Sequence, residues 1–360
     1  MTEFMIGCDP ELFVRDTAGV LVSAHDMIPG TKNAPFRVDG GAVQVDGMAL
    51  EFNTNPAKTF EEFNNNITSV LAKLQTMIPE GYTFEFSPVA AFGKEYIDAQ
   101  PEEAKMLGCD PDYNAYTGLV NPKPDANMGI RTASGHIHIG WTSDQDVTDP
   151  DHIEACQMVV KQLDVTLGLM CRIWDKDTTR RQMYGNFGAY RVKPYGVEYR
   201  TPSNVWVADE VLRRLVFNTA MGATRALLEG KRIYEQFDIN EVNHGYMSNG
   251  DLFYYIRQYA KKYGVLNELD LAAFANVYDK STVNVFKTSK NGLRAGEIYN
   301  TIAGVSLGQV IIEQAAQPAH PWNVPQPMFA IAAEEMEIEE DFDEDEVIFD
   351  EEDEDEQVAF

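Results

Sequence analysis

The chain has 360 residues with 44% apolar content, enough for a sizeable core in one large domain or two ordinary ones. No apolar run approaches the roughly 20 residues that span a bilayer, no basic-then-apolar leader opens the chain, and Cys8, Cys109, Cys156 and Cys171 form no CxxC pair, so free thiols in a reducing cytoplasm are expected. The formal charge of −28 is concentrated at one end: residues 331–360 hold 17 acids and no Lys or Arg, and the rest carries 40 acids against 29 bases with no basic stripe, which argues against a nucleic-acid binder.

In chain order, Phe4–Val14 is an apolar run broken by Asp9-Pro10-Glu11. Pro10 cannot donate to a ladder and suits a strand end or edge, while Asp9 and Glu11, two apart, share a face. Two carboxylates on one face repel unless a cation lies between them; the plain alternative is a solvated Asp-Pro turn. Asp39-Gly40-Gly41 is a hairpin signal. In the arm that follows, Glu51 and Asn53 share one face and Leu50 and Phe52 the other. Asp46, five residues from Glu51, reaches the same face only through a bulge at Gly47. The spacing of Phe60, Phe63, Ile67, Val70, Leu71 and Leu74 predicts an amphipathic helix over 59–78 whose stripe is core and nothing more. Tyr82–Phe92 reads as a strand. Residues 93–128 form a long Pro-, Gly- and Asp-rich loop whose aromatics and Cys109–Asp112 turn suggest order near a site.

Gly129–Trp141 places His136 and His138 on one strand face and Ile137 and Ile139 on the other. Asp149-Pro150 opens a helix to about Trp174. Arg180 and Arg181 lie on a polar loop leading into Gly185–Asn204, which glycines and Pro194 divide into two strand pieces. There Glu198 and Arg200 point the same way and Val197 and Tyr199 the other. An acid beside an arginine suits a metal next to a phosphate; an ordinary surface ion pair is the bland alternative. A helix over about 208–230 buries Val211, Leu212, Leu215, Val216 and Phe217. Residues 231–316 are mostly helical, with polar breaks near Asn243–Gly250 and Ser289–Gly292. Four prolines over Pro318–Pro327 stop regular structure, and from Glu334 the chain is too acidic to order itself. Strands crowd the first half without βαβ alternation, which predicts an α+β fold with a largely antiparallel sheet and helices on one face.

Carboxylates with imidazole and no thiolate suit Mg²⁺ or Mn²⁺, and arginines beside them suit polyphosphate. No GxxxxGK[ST] loop and no kinase signature occurs. In order, Asp9-x-Glu11, Glu51, Gly135-His136-x-His138 of the SGHIHIG strand, Arg191 and Glu198-x-Arg200-x-Pro202-Ser203 of the YGVEYRTPSN strand resemble the glutamine synthetase and glutamate–cysteine ligase superfamily. GCDPE, SGHIHIG and YGVEYRTPSN more narrowly resemble phage-encoded carboxylate–amine ligases (amidoligases) of type 2, over about residues 4–230.

The resemblance implies a funnel-like antiparallel sheet with helices on its outer face. It implies that Asp9, Glu11, Glu51, His136 and Glu198 form a Mg²⁺ or Mn²⁺ shell, with Glu51 also catalytic. His138 and Arg200, with Arg180 and Arg181, would contact the phosphates of ATP, and Arg191 would stabilise the transferred phosphoryl group. Asp9 stands where the wider family has Glu, and Glu51 is the one clear acid of its strand. The implied organisation is a catalytic core over 1–235, a helical extension over 236–317, and a Pro-rich linker with an acidic tail over 318–360. The implied activity is ATP-dependent amide formation between a carboxylate and an amine through an acyl phosphate, in the cytoplasm of an infected bacterium. Two alternatives stay open: a metal-dependent hydrolase on the same residues, which leaves the arginines unexplained, and an interaction protein working through its tail. Met336, Ile338, Phe342, Val347, Ile348, Phe349 and Phe360 among the tail acids suit docking on a basic partner or on the body itself.

Overall fold

The computed structural model of the chain describes residues 3–105, 111–122, 128–237, 239 and 247–282. Cys109, the break at Ser289–Gly292, the proline-rich stretch and the acidic tail lie outside these.

Thirteen short strands are described: β1 (Met5–Cys8), β2 (Glu11–Arg15), β3 (Leu21–Val22), β4 (Phe36–Val38), β5 (Gly41–Asp46), β6 (Ala49–Thr54), β7 (Thr83–Glu85), β8 (Val89–Ala91), β9 (Tyr113–Asn114), β10 (Ile130–Thr132), β11 (Ile137–Gly140), β12 (Ala189–Lys193) and β13 (Gly196–Tyr199). They form a five-stranded sheet in the order β1-β11-β13-β12-β9, a six-stranded sheet in which β3-β2-β6-β5-β4 is joined by β7 on β2, and the pair β10-β8. Every pairing is antiparallel. With the helices described below, the fold is α+β, as the sequence predicts.

The register of the five-stranded sheet explains its chemistry. Gly7, His138, Glu198 and Arg191 stand opposite one another in a single row across β1, β11, β13 and β12. The adjacent row, Ile6, Ile139, Val197 and Val192, turns to the other face because successive side chains alternate. Ile6, Ile139 and Val197 are fully buried. One face is therefore core and the other polar, and a one-residue slip would exchange them.

The core face is covered by helices. Asp149 caps the helix Pro150–Leu163, its carboxylate accepting from Asp151 N at 2.9 Å. This helix packs on β12 and β13. It runs on through a π-helical segment, Asp164–Gly168, into Leu169–Trp174, so the predicted element ends where expected but contains a wider turn. Thr59 caps the helix Phe60–Met77, which buries Phe63, Ile67, Val70, Leu71 and Leu74. Each such side chain contributes about 1.5–3 kcal/mol of burial. Phe63 stacks on Trp206 at 5.9 Å and meets Phe217 of the helix Glu210–Leu228 at 5.1 Å. In that helix Leu212, Leu215, Val216 and Phe217 are buried and Val211 is half-buried.

Three local expectations are corrected. Asp46 does not sit before a bulge in one long arm. Asp46 pairs with Ala49 across a second hairpin, and Gly47 takes φ +58° in its turn. Residues 82–92 are two strands, separated around Pro88, which cannot continue a ladder. Gly250 lies in the first turn of the helix Asn249–Lys262, with Ser248 as cap, rather than in a break. The helix Glu268–Thr282 is the last described element.

Candidate active site

The chain leaves β1 and enters β2 through Asp9 and Pro10, so these residues join the two large sheets. Asp9 N donates to His136 O at 3.4 Å and Glu11 N to Ser134 O at 2.9 Å. These bonds hold both carboxylates beside the His strand. Gly135 is required there: a Cβ would run into Ser203 O and Trp206 Nε1, so the Gly135-His136 segment and the Thr-Pro-Ser segment approach backbone to backbone. The polar faces of the two sheets line a cleft of about 280 Å³ that includes Asp9, Glu11, Glu51, His136, Glu198, Arg191 and Arg200.

Glu198, almost fully buried, is the hub. Arg200 Nη1 bonds Glu198 Oε1, Arg191 Nη1 lies 3.3 Å from the same oxygen, and Lys193 Nζ lies 2.7 Å from Oε2. Burial pushes this carboxyl up, but Arg200, His136 and Lys193 overcome that, and it is held well below the carboxylate range. Arg200 also pairs with Asp112 at 3.4 Å, and Arg191 Nε donates to Pro111 O at 3.3 Å.

Asp9 Oδ1 lies 2.9 Å from His138 Nε2 and 3.3 Å from His136 Nδ1, and the latter lies 3.5 Å from Glu198 Oε1. Burial raises Asp9, and the two imidazoles outweigh it, holding it well below the usual range. Burial and then Arg200 push His136 down to about 4, so it is a neutral imidazole at pH 7. Tyr195 OH bonds His138 Nδ1, fixing the ring from its other side.

The opposite wall differs. Glu11 accepts from Ser134 N at 2.9 Å and Glu51 from Gln44 Nε2 at 2.8 Å. Burial, then Asp46, pushes Glu11 up to about 7. Burial, then Asp9, Asp46 and Glu11, pushes Glu51 well above its ordinary value, and burial raises Asp46 against Lys32 and Arg191.

Asp9, His138 and Glu198 offer one ligand atom each within 4.8 Å of one another. Asp9 Oδ1, His138 Nε2 and Glu198 Oε2 are buried and make no hydrogen bond; their close neighbours are charge contacts without hydrogen-bond geometry. Burial lowers His138 but Asp9 more than reverses it, so a divalent cation of the Mg²⁺ or Mn²⁺ type, which two carboxylates and an imidazole fit, would displace the ring proton on binding.

The structure thus gathers Asp9, Glu11, Glu51, His136, Glu198, Arg191 and Arg200 in one cleft, with His138 immediately behind Asp9 and, in this geometry, in the cation-ready group in place of His136. It does not bring Arg180 and Arg181 to the cleft wall. Arg180 is fully buried and donates to Thr201 O at 2.8 Å and Arg200 O at 3.1 Å; Arg181 donates to Asp175 O at 3.1 Å. Arginine on a polar loop reads as available for phosphate, but here the guanidinium replaces missing strand partners for the residues after β13.

Several site residues escape the sequence reading. Lys193 could have been found, being two residues from Arg191 on the same strand face. Asp112 lies in the Cys109–Asp112 turn expected near a site, though its pairing with Arg200 was not foreseen, and Gln44 carries no signal. Nor does Asp164, whose buried carboxylate in the π-helical segment accepts from Tyr199 OH at 2.7 Å, Gly188 N at 2.6 Å and Thr201 Oγ1 at 3.2 Å. Those bonds fix both strands of the Arg191–Glu198 hairpin from beneath.

The fold and site define an α+β protein with an acidic, cation-ready cleft bordered by arginines. Residues 132–253 match the family model described as Phage phiEco32-like COOH.NH2 ligase-type 2. Among solved structures, a bifunctional glutathione synthetase from Pasteurella multocida shares 12% identity over 88% of this chain and 51% of that one, with a TM-score of 0.45. A novel glutamine synthase homolog shares 11% identity over 83% of this chain and 71% of that one, with a TM-score of 0.39. This chain spans about half the length of the glutathione synthetase. No curated protein matches it. No described helix is long and apolar enough to cross a membrane.

Proposed function

We propose that the cleft catalyses ATP-dependent amide formation between a carboxylate and an amine through an acyl phosphate. The observation that carries the reading is the convergence of Arg191, Arg200 and Lys193 on Glu198, beside Asp9, His136 and His138. A hydrolase working through the acids and histidines has no use for three cations at that point. Phosphoryl transfer does, because negative charge spreads over equatorial oxygens that guanidinium groups can grip.

Asp9, His138 and Glu198 would hold a divalent ion, which when bound neutralises phosphate charge and acts as a Lewis acid. The substrate's carboxylate oxygen attacks the γ-phosphorus, the bond to the bridging oxygen breaks and ADP leaves. The amine nitrogen then attacks the acyl carbon and gives up a proton, and phosphate departs with the former carboxylate oxygen. Arg191 meets the phosphoryl group as charge grows, Arg200 and Lys193 hold nucleotide phosphate, and the enclosing walls keep water from the acyl phosphate. Glu11, Asp46 and Glu51 form the wall nearest a further cation or an approaching amine.

The test is release of ADP and phosphate from ATP with Mg²⁺ or Mn²⁺, screened over mixtures of carboxylates and amines. Release that requires both partners supports the reading; ATP turnover with neither, or none with any pair, contradicts it.

A further inference from the structure

Arg191 is the phosphoryl contact of the proposed reaction, and two segments of the chain hold its guanidinium. Glu198 on β13 lies 3.3 Å from its Nη1, and Pro111 O accepts from its Nε at 3.3 Å. Both segments rest on one carboxylate that does not line the cleft, Asp164. Side chains alternate along β13, so Glu198 faces the cleft and Tyr199 points into the core beneath. There Tyr199 OH donates to Asp164 Oδ1 at 2.7 Å, and Thr201 Oγ1 donates to the same oxygen at 3.2 Å. The other oxygen, Oδ2, accepts at 2.6 Å from the N–H of Gly188, just before β12. Tyr190 and Tyr199 pair in the row next to that of Arg191 and Glu198, so Asp164 clamps the open end of this hairpin one row from the site. Gly188 is also where the segment 111–122 docks. Ala115 N donates to Gly188 O at 2.9 Å, and Asn114 pairs with Ala189. The Tyr116 hydroxyl turns to the Asp164 carboxylate.

The setting is shaped for this contact. Asp164 is fully buried and opens the π-helical segment Asp164–Gly168, a wider turn of the kind that gathers at functional sites. Gly168 closes the segment: a Cβ there would lie 2.5 Å from Tyr199 OH and 2.9 Å from Phe187 Cε1, so glycine makes room for the hydroxyl. A carboxylate is acceptor-only with about four lone-pair sites, which suits a point where only donors converge. Two residues earlier, Gln162 joins Ala223 O, Lys231 O and Ile233 N with a neutral amide. Joining chain segments therefore does not by itself call for an acid, which is costly to bury.

We propose that Asp164 is a positioning residue for phosphoryl transfer: from outside the cleft it sets both the strand and the segment that aim Arg191. The inference rests on the proposed reaction for what Arg191 does. ATP itself stays bound when the clamp loosens, because Arg200 keeps Glu198 and Asp112 on its guanidinium and Arg180 on its carbonyl.

The experiment uses the full chain and reads binding separately from turnover. Two probes are titrated by calorimetry with Mg²⁺: ATP, and ADP with aluminium fluoride, which mimics the phosphoryl group in transfer. Asp164→Asn is expected to weaken binding of the mimic about tenfold and of ATP by less than about twofold. Tyr199→Phe and Tyr116→Phe each cut one tie, are expected to weaken the mimic about threefold, and serve if Asp164→Asn fails to fold. In an Arg191→Ala background the same changes are expected to cost nothing further, because they act through Arg191. Ile67→Ala, in the core under the helix Phe60–Met77, is expected to lower the urea midpoint and leave both affinities alone. Unchanged binding of the mimic in all three clamp variants overturns the inference even if the ligase reaction proceeds. An equal loss for ATP, a loss undiminished in the Arg191→Ala background, or the same loss in Ile67→Ala also overturns it, since Asp164 would then serve general stability. The expected pattern in a protein that forms no amide with any pair keeps the inference and removes amide formation. Wild-type protein that binds neither probe removes both.

Discussion

The two walls of the cleft treat their carboxylates in opposite ways. On the β11–β13–β12 wall, Glu198 is surrounded by Arg191, Lys193 and Arg200 and stays ionised. On the β2–β6–β5 wall, burial pushes Glu11, Asp46 and Glu51 all upward, and nearby acids add to it at Glu11 and Glu51. The first wall sets three cations around one carboxylate and so has positive charge to spare. The second stores repulsion that only a proton or a cation relieves. A cleft built this way favours an assembly in which metal and phosphate arrive together, since each supplies charge the other wall lacks.

The largest effect should come from breaking the first wall. Glu198→Gln is expected to lower turnover by at least about a hundredfold, because the group that aligns three cations loses its charge. ADP release at the wild-type rate would remove Glu198 from the account. Arg191→Ala should cut kcat by about ten- to a hundredfold while the KM for ATP holds, as befits a contact made mainly in the transition state. A raised KM with kcat intact would make Arg191 a binding residue instead.

Arg180 sharpens the contrast between arginines that face the cleft and one that does not. Arg180→Met leaves Thr201 O and Arg200 O without their donor, at about 1–3 kcal/mol for each buried group. The urea midpoint should fall and ATP affinity should not. The reverse pattern would return Arg180 to the nucleotide site.

Glu51→Gln tests the second wall with the smallest effect. Removing one of three repelling carboxyls should raise the melting temperature of metal-free protein by roughly 2 °C and shrink the further rise that Mn²⁺ produces. A lower melting temperature without metal would mean that repulsion is not what this wall stores.

The period-two pattern made most of the polar face legible. His136 with His138 and Glu198 with Arg200 could be paired from spacing alone, and the register then sets His138, Glu198 and Arg191 in one row. The helix Phe60–Met77 was equally plain from its apolar stripe. What spacing cannot give is which strands are neighbours, so the opposition of the Glu51 wall to the Glu198 wall emerged only from the fold. Asp46 shows the limit: a glycine in φ > 0 serves a bulge or a hairpin equally, and the pairing with Ala49 decides it. Arg180 shows another, since a guanidinium on carbonyls and one on phosphate have the same sequence. Asp164 gains its meaning from what surrounds it, and that neighbourhood is not local in sequence.

The central claim is that a carboxylate oxygen attacks the γ-phosphoryl group of ATP in this cleft. The direct measurement is a reaction with ¹⁸O-labelled carboxylate, an amine, ATP and Mg²⁺, followed by mass analysis of the released phosphate. Acyl-phosphate formation predicts one ¹⁸O transferred from the carboxylate to each phosphate released alongside amide. Phosphate free of label, while amide or ADP accumulates, would contradict it.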